Sequence, residues 1–171
     1  LKNAGLETEA LTEFQKLAQG SSDDFAADAA VELAQIFTAQ DNVTKAEEAL
    51  RQASAGGKKS ARIHTLQGML SMKSGDANQA QQSYRMALQI DPNYAPAHLE
   101  LGLAHITAQR LPDGVAELKK YLDLVGDSKD ARAPEIKLLV AQLERAIEKG
   151  GGAPPPQAAL QPAPAKKETA S

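Results

Sequence analysis

Three histidines, His64, His98 and His105, come first, because imidazole serves as acid, base or metal ligand near neutral pH. His98 and His105 stand seven residues apart and share a face of a helix. A metal there would need converging carboxylates, and Glu100, the nearest in sequence, points elsewhere on that helix. The stretch Gly56-Gly57-Lys58-Lys59-Ser60 has the ending of a phosphate loop but neither its leading glycine nor its preceding strand. It therefore reads as a turn. The carboxylate pairs Asp23-Asp24 and Glu47-Glu48 fall at helix starts or on solvated faces, where the helix dipole accounts for them. The chain has no cysteine, which removes thiol nucleophiles, disulfides and thiolate metal sites. HExxH and GxSxG patterns are absent. These observations predict no enzyme, no metal and no cofactor.

The bulk composition narrows the partners. A net charge of −3 with 24% charged residues speaks against phosphate neutralisation, so no nucleic acid is expected. No apolar run approaches the ~20 residues of a membrane span. No signal peptide is visible, and Leu1 running straight into a helical pattern suggests a fragment or processed product. Thiol-free chains suit oxidising and reducing surroundings alike, so the compartment stays open.

The elements that would carry any site are helices. Turn signals recur at Gln19-Gly20-Ser21-Ser22, Gln40-Asp41-Asn42, Gly56-Gly57, Gly75-Asp76, Asp91-Pro92-Asn93, Leu111-Pro112-Asp113 and Gly126-Asp127-Ser128. Between them apolar residues return at i, i+3, i+4 and i+7, as in Leu33, Ile36 and Phe37. Ile136, Leu139, Val140, Leu143 and Ile147 form the cleanest stripe. Short loops make consecutive helices antiparallel neighbours, hence a row of hairpins. From Gly150 the sequence GGGAPPPQAALQPAPAKKETAS has little to bury, which predicts a disordered tail. Its prolines are a weak match to a ligand for an SH3-like domain.

A period of 34 runs through Ala27–Ser60, Ala61–Tyr94 and Ala95–Ser128 without a gap. The eighth place holds Ala34, Gly68 and Gly102, and the twentieth Ala46, Ala80 and Gly114. The twenty-fourth holds Leu50, Tyr84 and Leu118, and the twenty-seventh Ala53, Ala87 and Tyr121. Small residues at the eighth and twentieth places let the two helices of a hairpin touch, while the larger ones fill the gap to the next. Aspartate then proline stops a helix and sets the corner.

This pattern resembles the tetratricopeptide repeat of bacterial proteins. The middle copy carries the resemblance best, through Gly68, Gly75-Asp76, Ala80, Tyr84, Ala87 and Pro92. The first copy has Lys58 where the proline belongs; the third departs at Gly114, Tyr121 and Gly126. The resemblance implies an all-α fold, a right-handed superhelix of helical hairpins. Residues 1–26 would hold a half repeat (its second helix at Leu6–Gln19, with Ala10 and Phe14 at the twentieth and twenty-fourth places) and a turn. Residues 27–128 would form three repeats, 129–149 a C-terminal capping helix, and 150–171 the tail. Tyr121 suggests that the neighbour of the third repeat is not another standard repeat. The capping stripe would pack on that repeat, with Lys137, Glu144, Arg145 and Glu148 facing water. His64 and His98 would take the fourth place and His105 the eleventh, all as packing residues.

The resemblance also implies a non-catalytic scaffold that binds a peptide or helix of another protein. The first helix of each repeat would line the groove, at Val31 and Gln35, then Thr65, Met69, Met72 and Lys73, then Leu99, Leu103 and Ile106. That groove would run from polar to apolar, and its methionines would make an adaptable surface. An alternative reading of Leu103 and Ile106 is core covered by the capping helix. Cochaperones of the family grip acidic chaperone tails with lysines, asparagines and an arginine. The matching places here hold Val31, Gln35, Leu66, Pro96 and Glu100, which do not fit. Three alternatives stand beside the scaffold: a chaperone or pilotin-like carrier of an apolar client, a regulatory domain of an enzyme encoded upstream of Leu1, and self-association through the uncapped N-terminal end. A bacterial cytoplasm, periplasm or envelope location would suit any of them.

Overall fold

The computed structural model describes residues 24–55, 60–126 and 130–150, together with Thr12. Seven helices run through the described residues: α1 Asp24–Ala39, α2 Val43–Ala55, α3 Ala61–Lys73, α4 Ala77–Ile90, α5 Ala95–Thr107, α6 Leu111–Val125 and α7 Ala133–Glu148. No strand occurs among these residues. The fold is all-α, built from repeated helical hairpins. Apart from Thr12, which is helical, the expected half repeat at Leu6–Gln19 lies outside the described residues. So do the turns at Gly56-Gly57 and Asp127-Ser128 and the tail from residue 151.

Inside each hairpin the turn is the same backbone built from different side chains. After α1, α3 and α5 the fifteenth place takes positive φ, at Asp41 (58°), Gly75 (84°) and Gln109 (60°). The next amide reaches back five residues each time, from Asn42 to Phe37 O (2.8 Å), Asp76 to Ser71 O (2.8 Å) and Arg110 to His105 O (2.9 Å). The amide at the fifteenth place closes a shorter bond, to Thr38, Met72 or Ile106. That pair of bonds is the Schellman end of a helix, which satisfies carbonyls the helix leaves open. Only Gly75 takes the left-handed conformation without steric cost. Asp76 then caps α4, its Oδ1 accepting from Gln79 N at 2.9 Å, and Asn42 does the same for α2 from Lys45 N at 3.3 Å. Arg110 offers α6 no such bond.

Between hairpins, Asp91 ends α4 in extended conformation, as a residue preceding proline prefers. Its carboxylate accepts from Asn93 N at 2.9 Å. The third corner is taken by Gly126, at φ 52°.

Contacts group the chain into two compact units, Leu1–Glu100 and Leu101–Ser171, the division falling within α5. In the first unit Ala34 and Ala46 are completely buried, in one cluster with Leu33, Phe37, Leu50, Ile63, Leu66 and Leu70. A Cβ built on Gly68 would come within 2.4–2.8 Å of the Tyr84 ring, so the eighth place is empty because the twenty-fourth is large. Ala61, Ala87 and Ala97 then pack together, with Leu88 and Tyr94 against them.

In the second unit Gly102 and Gly114 face each other. A Cβ on Gly114 would meet Ile106 Cγ1 at 2.5 Å and Gly102 O at 3.0 Å. The glycine that breaks the alanine pattern thus makes room for isoleucine at the twelfth place. Helix α7 packs on α6, burying Ile136, Leu139, Val140 and Leu143. Ile147, in its last turn, is 37% exposed, so the packed part of the stripe stops one turn sooner than its periodicity predicts. Glu144 pairs with Lys119 at 2.6 Å. Tyr121 is buried, and its hydroxyl makes no hydrogen bond of ordinary geometry. Burial first, then interaction with Asp130, push its pKa up.

Candidate functional site

The nine residues of the expected groove divide by burial. Val31, Thr65, Leu99, Leu103 and Ile106 are buried, Gln35, Met69 and Met72 are partly exposed, and Lys73 is exposed. Thr65 donates its hydroxyl to Ala61 O at 2.8 Å. Leu99, Leu103 and Ile106 are core, so the apolar end of the expected groove is not offered to solvent.

What remains accessible is a strip along α3. Arg62, Met69 and Lys73 are spaced by seven and four residues, and at about 100° per residue they fall on one line, with Met72 beside it. Met69 leans on the core of the first hairpins, whereas Met72 is outside that cluster. Both cations of the strip are held by α1 and its turn. Arg62 Nη2 donates to Glu32 Oε1 and to Gln35 Oε1, each at 2.7 Å. Lys73 Nζ pairs with Asp41 Oδ1. Tyr94 lies near Arg62, and burial raises its hydroxyl pKa, which Arg62 partly offsets. Chemically, the strip offers polarisable thioethers between two neutralised cations, a surface for contact rather than for proton transfer.

Reading the sequence missed Glu32 and Asp41. A signal existed: each lies nearly one repeat upstream of the opposite charge it meets, 30 residues before Arg62 and 32 before Lys73. Opposite charges a little under one period apart are what neighbouring first helices would bring together.

The opposite side of α3 carries a cleft that the sequence reading also missed. Its volume is about 460 Å³, and Gln67, Leu70 and Ser71 line it with Glu47, Arg51 and Gln79 from the flanking second helices. The hydroxyls of Ser54 and Ser71 are spent on Leu50 O and Gln67 O. One repeat earlier the corresponding cleft, about 320 Å³, is lined by Leu33, Phe37, Lys45 and Ala49, with the Lys45 ammonium 5.5 Å from the Phe37 ring centre.

The histidines hold structure. His98 is buried, and its Nε2 donates to Pro92 O at 2.9 Å, pinning the corner before α5. His64 Nδ1 meets Gln67 Oε1 at 2.9 Å, and His105 is buried. Among the described residues no group of three histidine, aspartate or glutamate side chains is placed to hold a metal, and no helix is long and apolar enough to cross a membrane.

Residues 68–107 match the family model of the TPR, or tetratricopeptide, repeat. Over that stretch the chain carries the tetratricopeptide repeat. No curated protein gives a significant match. Among solved structures, the chain is similar to the TPR domain of Sgt2 from Aspergillus fumigatus, with a TM-score of 0.62 and 19% identity over 85% of this chain and 90% of that one. It is also similar to the TPR2B domain of yeast Sti1, solved in a complex with pHsp70, with a TM-score of 0.61 and 17% identity over 70% of this chain and 96% of that one. At such identities the likeness establishes the repeat fold. The matched residues run from Gly68, under the Tyr84 ring, to Thr107 at the end of α5.

Proposed function

We propose that this chain is a non-catalytic protein–protein interaction module whose tetratricopeptide repeats take an extended or helical segment of a partner along the α3 strip. The observation that carries this reading is the pair Met69 and Met72, partly exposed on the side of α3 away from the cleft. A domain of the same fold, from yeast Sti1, was solved bound to pHsp70, which supports binding as the use of such repeats. The acidic-tail mode of the family does not transfer, because Val31 and Leu66 are core and Pro96 and Glu100 carry no positive charge.

The test is selection of displayed peptides on the immobilised full chain, followed by calorimetric titration of the selected sequences. Apolar anchors are expected in the consensus, and Met72→Glu should weaken binding by about tenfold or more, as loss of a central anchor does. The reading fails if the chain selects nothing, or if Met72→Glu binds unchanged while its thermal melt matches the parent.

A further inference from the structure

The accessible strip is positively charged in sequence and neutral in structure. Arg62 and Lys73 stand eleven residues apart on α3, about 16 Å along its axis, with the methionines between or beside them. Each would attract a carboxylate of an approaching peptide. Each already has one: Glu32 for Arg62, with Gln35 completing the fork, and Asp41 for Lys73. These carboxylates come from α1 and its turn, so each is held beside its cation by the fold itself. An acidic ligand must displace them, whereas an uncharged apolar one need not. Arg62 and Glu32 are both partly exposed, at 36% and 41% of their side-chain surfaces, so the pair stands at the surface where the ligand would arrive rather than beneath it.

We propose that Glu32 and Asp41 are specificity-determining residues: by neutralising Arg62 and Lys73 they restrict this face to partner segments that are apolar and free of carboxylates. The proposal rests on the binding reading above and adds the chemical class of the ligand. Charge complementarity decides between wrong and right partners more than it sets affinity. The pairs also link α1 to α3, but at these exposures that contribution to stability is small.

The experiment uses the full chain and two fluorescein-labelled probes. One is a neutral peptide with apolar anchors, and the other the same peptide with two aspartates added before a free C-terminal carboxylate. The parent should bind the neutral probe and discriminate against the acidic one. Glu32→Gln combined with Asp41→Asn should raise affinity for the acidic probe by about tenfold or more, with a gain that fades as salt rises. Adding Arg62→Gln and Lys73→Gln should abolish that gain. Circular dichroism confirms that each variant is folded. The proposal is overturned if the folded double variant gains nothing, or if the parent takes the acidic probe as readily as the neutral one. Failure of the binding reading looks different: the parent then takes neither probe.

Discussion

Helices α3 and α5 occupy the same place in successive repeats, and they end up in different environments. In α5 every residue from Ala97 to Ile106 is buried except Glu100, which is partly so. In α3 the ninth, twelfth and thirteenth places, Met69, Met72 and Lys73, retain solvent contact. The equivalents in α5 are Leu103 and Ile106, which are buried, and Thr107, which is not. Repeat position therefore settles which residues touch the partner helix of a hairpin, but not which stay open for a ligand. The difference at the twelfth place has a visible cause. Gly114 lets α6 close over Ile106, whereas the middle repeat has Ala80 at the twentieth place and methionine at the twelfth.

The sharpest way to break the comparison is to charge the twelfth place in both helices. Ile106→Glu buries a carboxylate in apolar core and should cost more than about 4 kcal/mol. Met72→Glu should stay within about 1 kcal/mol, as a partly exposed site does. Chemical denaturation of the two variants checks this, and equal losses would mean that α3 is as closed as α5. Next in size is Gly114→Ala. The new methyl meets backbone as well as Ile106, so a loss of about 2–3 kcal/mol is expected even though alanine favours helix. Ile106→Val in the same chain should recover part of it.

The large residue on the α4 side of the middle hairpin gives a pH test. Burial, with help from the Glu100 carboxylate, holds the Tyr84 hydroxyl well above its ordinary value of 10.0. The folded chain keeps that proton while the unfolded chain releases it, so the stability it contributes is full below pH 10 and falls as pH rises beyond. The alkaline limb should steepen by up to about 1.4 kcal/mol per pH unit from this group, and Tyr84→Phe should flatten it, as read by far-ultraviolet dichroism against pH.

The turns after the two helices differ by less. Gln109 holds the conformation that Gly75 holds without strain, so Gln109→Gly should gain up to about 1 kcal/mol and Gly75→Ala should lose a similar amount. Thermal melts would show whether the two turns respond as mirror cases. The smallest effect belongs to the exposed pair Lys119–Glu144. Glu144→Gln should cost under about 0.5 kcal/mol, and that little should vanish in high salt.

Much of the architecture was legible because it is written in neighbours along the chain. The steps of twelve and four residues from Gly68 to Ala80 to Tyr84, in a pattern that returns every 34 residues, declare a close hairpin, and the structure seats the Tyr84 ring where a Gly68 side chain would have been. Asp76, Asn42 and Asp91-Pro92 announce helix ends by side chains that act within three residues. The binding face was legible only in part. The family resemblance nominated Leu99, Leu103 and Ile106 alongside Met69, Met72 and Lys73, because all share the family's first-helix places. It could not show which of them a neighbouring helix covers.

What the amino-acid order determined alone is local and periodic: helices, their caps and corners, and the small-against-large pairs that set each hairpin. Those depend on backbone sterics and on contacts within one repeat, which any reader of the chain can line up. What only the folded molecule decided is the character of the surface. Arg62 and Lys73 look like free cations until α1 and its turn place Glu32 and Asp41 against them, and Ile106 looks like a groove residue until Gly114 admits α6. Burial and neutralisation arise from side chains on different helices, and their sign depends on distances that no spacing along the chain can supply.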